Sequence, residues 1–161
     1  MSFEKCLPVV LALEGGETIT NDPNDPGGLT KYGISQRAFP SLDIANLTQV
    51  QAADIYRQHY WRPVRGDDLP ACVAMCVFDS AVNQGQGYAA RTLQRAVGES
   101  ADGVLGPKTM AAISRTSPTA IVERVMQLRA EMYLKSSGFV HYGRGWMRRV
   151  VSVTVAAMEM T

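Results

Sequence analysis

Glu14, Asp22, Asp25 and Thr30 stand within one short stretch, and carboxyl and hydroxyl groups at that density could cleave a glycosidic bond. The reaction needs one carboxyl group kept protonated to protonate the leaving oxygen. It also needs a second polar group that stabilises positive charge or holds a water on the other face. Glu14 sits beside apolar Leu11 and Leu13 at the expected end of a helix, where loss of water disfavours the charged form and suits the acid role. A wetter loop carboxylate, Asp25 or Asp22, suits the second. The same residues also fit a blander account. A Glu before Gly15-Gly16 is a common helix end, and Asn21-Asp22-Pro23 and Asn24-Asp25-Pro26 are Asx-turn sequences.

Further along, Asn83 could bond a sugar acetamido group through its side-chain amide or simply cap a helix. Asp79, one turn earlier in a very apolar stretch, needs a buried partner. Tyr32 could stack on a sugar ring or pack under the loop. Trp61 and Trp146 read as core or lobe-joining residues. Arg144, Arg148 and Arg149 read as solvated charge that could meet peptide-stem carboxylates. Gln84-Gly85-Gln86-Gly87 follows no strand, so no phosphate loop is expected. His59 and His141 are isolated and Cys72 and Cys76 lie four apart on an apolar stretch, so buried thiols are expected and neither a metal nor a cofactor.

The elements that must position these groups are mostly helices. Apolar residues recur at helical spacing and β-branched alternation is scarce, so the fold class is all-α with at most a small hairpin, in two lobes packed as one body. A first helix ends at Leu13-Glu14, stopped by Gly15-Gly16, with Pro8 as its effective start or a kink. Turn chemistry fills Gly15 to Thr30, where a short hairpin is expected. Thr48 with Gln51 forms a capping-box pattern opening a helix to Trp61. Pro70 opens a buried helix over 71–83, ended at Gly85. Further helices are expected over 89–97, 107–114, 118–135 and 145–158. The domain boundary is placed at 88/89, giving 1–88 and 89–161.

The chain has 161 residues, 46% hydrophobic, with a net charge of +1. That length suits one compact domain with a core of its own, and the balance gives no field for nucleic acid. The front thirty residues set Lys5 against five carboxylates, net −4, which in most proteins is only a solvated face. No apolar run reaches membrane-spanning length. The apolar start over 6–13 lacks a small-x-small cleavage site and reads as mature protein.

Leu13-Glu14-Gly15-Gly16, followed by Asn21-Asp22-Pro23-Asn24-Asp25-Pro26-Gly27-Gly28-Leu29-Thr30 and Gly33-Ile34, resembles the glycoside hydrolase family 108 muramidases. The likeness continues through Val77-Phe78-Asp79-Ser80-Ala81-Val82-Asn83-Gln84-Gly85. From Asp102-Gly103-Val104-Leu105-Gly106-Pro107-Lys108-Thr109 onward it follows that family's peptidoglycan-binding segment. The chain departs from the family at Glu17, where an aromatic usually follows Glu-Gly-Gly. The resemblance implies hydrolysis of the β-1,4 bond between N-acetylmuramic acid and N-acetylglucosamine. By position it makes Glu14 the acid, Asp25 the second carboxylate with Asp22 its rival, and Thr30 the residue that positions water. It implies peptidoglycan as the partner, with cytoplasmic synthesis and later release to the wall by a holin or a secretion system. A lytic transglycosylase, using the Glu alone, and a non-catalytic wall-binding module are the alternatives.

Overall fold

The computed structural model describes residues 2–21 and 27–161. Helix α1 (Ser2–Leu13) is followed by a hairpin of β1 (Thr30–Lys31) and β2 (Ile34–Ser35), and then by α2 (Gln49–Tyr56), α3 (Ala71–Gln84), α4 (Gln86–Ala96), α5 (Pro107–Arg115), α6 (Pro118–Leu134) and α7 (Phe139–Met158). The protein is thus mostly helical, with one minimal sheet, as its periodicity predicts.

Pro8 lies inside α1 rather than at its start. Phe3, Cys6, Leu7, Val10 and Leu11 form one buried stripe along the helix. Each is worth about 1.5–3 kcal/mol for the larger apolar side chains, against about 3 kcal/mol for a proline in a helix interior, so burial wins. The helix stops where expected. Gly15 and Gly16 take φ of 89° and 59°, and the Gly16 amide donates back to the Leu11 carbonyl at 2.9 Å, the six-to-one bond of a glycine C-cap.

The hairpin lies later than expected. Its two-residue turn is Tyr32-Gly33, with φ of 54° and 72°, the consecutive left-handed pair that a tight hairpin requires. Among the described residues the expected segment contributes Thr30, the first residue of β1, and Thr20, which exchanges two backbone hydrogen bonds of 2.9 Å with it. Thr48 caps α2 with the full capping box. The helix then widens into a π-helical turn over Arg57–Trp61 instead of continuing regularly to Trp61. Residues five apart on a regular helix diverge by roughly 140°, and the wider turn lets both Tyr56 and Trp61 enter the core.

Helix α3 runs through the centre, with ten of its residues buried. It packs against α1, α4, α6 and α7, so the two lobes share one body. Helix α4 begins three residues before the expected Ala89, and α7 six before the expected Gly145. The early start of α7 depends on close packing. A Cβ on Gly143 would stand 2.7 Å from the Phe139 ring, and one on Gly138 3.1 Å from Trp146, so the glycines there admit aromatic rings rather than end the helix. Cys6, Cys72 and Cys76 are all free and buried, and burial pushes the Cys76 thiol up to about 12. Among the described residues no helix is long and apolar enough to cross a membrane.

Candidate active site

Glu14 follows directly on α1, with its side chain 22% exposed. Its Oε1 accepts a hydrogen bond of 2.6 Å from Nη2 of Arg149, on α7. Arg149 is held in turn by Asp79 on α3: Nη2 lies 2.7 Å from Oδ1, and Nε lies 3.0 and 3.2 Å from the two oxygens. The far side of Asp79 is closed by Arg129 of α6, whose Nη2 is 2.8 Å from Oδ2. Asp79 and Arg129 are both fully buried. Two carboxylates and two guanidiniums therefore form a continuous chain from the protein's centre to its surface at Glu14. The flanking carboxylates raise the affinity of Arg149 for its proton beyond the ordinary arginine value, although burial opposes this.

The other oxygen of Glu14 faces the hairpin. A Cβ on Gly33 would stand 3.0 Å from Oε2 and 2.8 Å from both the Glu14 Cβ and the Tyr56 hydroxyl. Only glycine fits this approach, and its positive φ favours glycine as well. The hairpin is fastened on two sides. The Tyr32 amide donates to the Gly16 carbonyl at 3.0 Å, and the buried Tyr56 hydroxyl donates to the Tyr32 carbonyl at 2.8 Å. Burial and the Glu14 carboxylate both push the Tyr56 phenol up, so it stays a donor.

The base of the acidic loop is fixed to the same hairpin. Besides the Thr20–Thr30 pair, the Gln36 amide donates to the Leu29 carbonyl at 2.8 Å and the Arg37 amide to the Gly27 carbonyl at 3.2 Å. Asp22 and Asp25 themselves lie outside the described residues. Thr30 stands in β1, half-buried, its hydroxyl donating to the Gly28 carbonyl at 3.2 Å. The structure thus brings Glu14 against the Tyr32-Gly33 turn and ties Thr30 to that hairpin.

Tyr32 is 4% exposed, and its hydroxyl donates to Glu17 at 2.8 Å. The ring packs under the loop, so the sugar-stacking reading is not the one the structure adopts. Glu17, the departure from the family pattern, is its partner. Asn83 is exposed near the end of α3, and its Oδ1 accepts from the Tyr133 hydroxyl. Tyr133 stacks on Trp146 with ring centroids 4.9 Å apart. Trp61 is fully buried, as its reading as a core residue expects.

Arg149 overturns its reading as solvated charge, because it enters the protein to meet Asp79 and Glu14. Its position was legible in the spacing: Arg149, Val153 and Ala157 recur every four residues, and the latter two are wholly buried. Arg129 carries the same signal, with Val125, Met126 and Tyr133 on its buried face. An arginine on an apolar stripe implies a buried carboxylate, and Asp79, buried in an apolar helix, is the residue that needs such a partner.

Comparison with known proteins accords with this geometry. The family model described as glycosyl hydrolase 108 matches residues 7–85, and one described as a predicted peptidoglycan domain matches residues 88–151. No curated protein matches the chain. Among solved structures, SagA of Brucella abortus is 36% identical, with 98% of this chain and 94% of that one covered and a TM-score of 0.86. A likeness of that extent shows that the chain belongs to the glycosyl hydrolase 108 family and is a peptidoglycan-degrading muramidase.

Proposed function

We propose that Glu14 is the general acid of this muramidase, protonating the glycosidic oxygen between N-acetylmuramic acid and N-acetylglucosamine. The observation that carries the reading is the orientation of its carboxyl group: Oε1 is held by Arg149, while Oε2 lies over Gly33. Oε2 is therefore the oxygen turned toward the hairpin, and the hydrogen bond from Arg149 fixes the plane of the carboxyl group. Arg149 is held in turn by Asp79, which fixes the guanidinium that orients Glu14. Asp25, with Asp22 as its rival, would stabilise the oxocarbenium-like state or activate water from the loop that Thr20 and Thr30 pinch shut. Thr30 would position that water. Asn83, beside Tyr133, would offer its amide to an acetamido group.

The experiment is reducing-end release from purified peptidoglycan by wild type and Glu14→Gln, with mass analysis of the products and circular dichroism on both proteins. Glu14→Gln is expected to lose about 100- to 10,000-fold in rate, the ordinary contribution of a general acid, while remaining folded. Wild-type rates in Glu14→Gln would overturn the assignment, and anhydro product ends would make the enzyme a transglycosylase. The same reading places synthesis in the cytoplasm, with delivery to the wall through a holin, as for a phage endolysin, or through a dedicated secretion system. Lysis that depends on co-expressing such a release factor would test that placement.

A further inference from the structure

Where the end of α4 meets the start of α5, a pocket of about 530 Å³ is lined by Glu99, Ser100, Asp102, Val104, Lys108 and Thr109 among others. Its floor is fixed. Gln94 is 1% exposed, and its amide nitrogen donates to Asp102 Oδ1 at 2.7 Å and to the Val104 carbonyl at 3.0 Å. Its amide oxygen accepts from the Gly103 amide at 2.8 Å. These bonds engage Asp102 and hold its carboxyl below the ordinary range, so Asp102 is part of the frame. Glu99 and Lys108 are different. Both line the pocket, they carry opposite charges, and neither has an ion-pair partner among the described residues.

We infer that this pocket is a second substrate site, in which Lys108 and Glu99 hold the zwitterionic diamino-acid part of the peptidoglycan peptide stem. The inference rests on peptidoglycan being the substrate, and it assigns the stem, not the glycan, to this pocket. No aromatic ring lines it, so a sugar would find no stacking surface. The acetylated amino groups of the glycan are also neutral, and would leave two opposite charges unanswered. A diamino-acid residue carries a carboxylate and an ammonium on one short scaffold. Lys108, in the first turn of α5, would take the carboxylate, assisted by the positive end of that helix. Glu99, a half-buried lining residue, would take the ammonium. Contacts of this kind are charge-assisted and weaken with salt.

The test uses the full chain and a synthetic sugar-free stem peptide, alanyl-γ-glutamyl-diaminopimelyl-alanine, titrated while the backbone amide resonances are followed. The expected result is saturable shifts centred on residues 99–109, with affinity at least fivefold weaker in Lys108→Ala and in Glu99→Gln. Acetylating the stem ammonium should weaken wild type as much as Glu99→Gln does and have no further effect in that variant. On intact wall, Lys108→Ala should raise KM several-fold with kcat unchanged, and on glycan strands stripped of their stems it should match wild type. Shifts absent from 99–109, or equal affinity in both variants and wild type, would overturn the proposal. Reducing-end release from stripped strands reports on the muramidase reading separately, so the two can fail independently.

Discussion

Two side chains organise the molecule in opposite ways. Arg149 is a charged hub whose partners are remote: Asp79 lies 70 residues away and Glu14 lies 135 away. Gln94 is a neutral hub whose partners, Asp102, Gly103, Val104 and Thr109, all lie within fifteen residues. The first joins α7 to α3 and to the end of α1, where it reaches the proposed acid, whereas the second ties α4 to the adjacent loop and to the first turn of α5. A buried charge demands a compensating charge wherever the fold can supply one, so it couples distant elements. A neutral amide is satisfied locally.

This contrast sets the expected sizes of substitutions. Asp79→Ala should be the most damaging, by about 3–5 kcal/mol in urea unfolding, because it strands a fully buried Arg129. Replacing Arg129 by Leu in the same chain should recover part of that loss, since both charges are then gone. If Asp79→Ala unfolds no more easily than a surface variant, the charged hub is not what couples the lobes. Gln94→Leu leaves the Gly103 amide without its acceptor and should cost about 1–3 kcal/mol in the same assay. A loss as large as that of Asp79→Ala would erase the distinction between the hubs.

Gly33→Ala should cost about 1–2 kcal/mol from its left-handed backbone alone. It should also lower muramidase activity, because the new methyl group would press on Glu14. Thermal melting read alongside reducing-end release separates the two effects. The smallest effect concerns acid. Hydrogen bonds from Gln94 and Val104 hold the Asp102 carboxyl below its ordinary value of 3.8. Its contribution to stability is therefore present above that value and is lost as pH falls through its lower folded-state value. Asp102→Asn should lower stability near neutrality, where that contribution is present, and flatten the stability–pH curve in the acid window.

Much of the architecture is legible because it is written locally. The Thr48 capping box, the Gly15-Gly16 stop and the prolines opening α5 and α6 are signals contained within a few residues, and the structure follows them. The misplaced boundaries have tertiary causes. Helix α7 begins early because Gly143 makes room for Phe139, and the regular turns of α2 give way at Arg57 because Tyr56 and Trp61 both seek the core. The proposed site divides in the same way. Glu14 stands out from its neighbours in the sequence, but the partner that orients it does not. Arg149 and Arg129 are marked only by helical spacing, and their common target, Asp79, is read as merely needing a partner. Gly33 is indistinguishable from other turn glycines until the approach of Glu14 is seen.

The span between Glu14 and Arg149 also orders events in time. A ribosome adding roughly 5–20 residues per second delivers the two 135 residues apart, a delay of roughly 7–27 s. Asp79 and Arg129 likewise arrive 50 residues apart. Asp79 on the central helix α3 is therefore made well before the guanidiniums that pair with it, and until Arg149 is added Glu14 lacks the partner that holds its Oε1. Glu14 therefore gains its hydrogen bond from Arg149 only when the last helix docks.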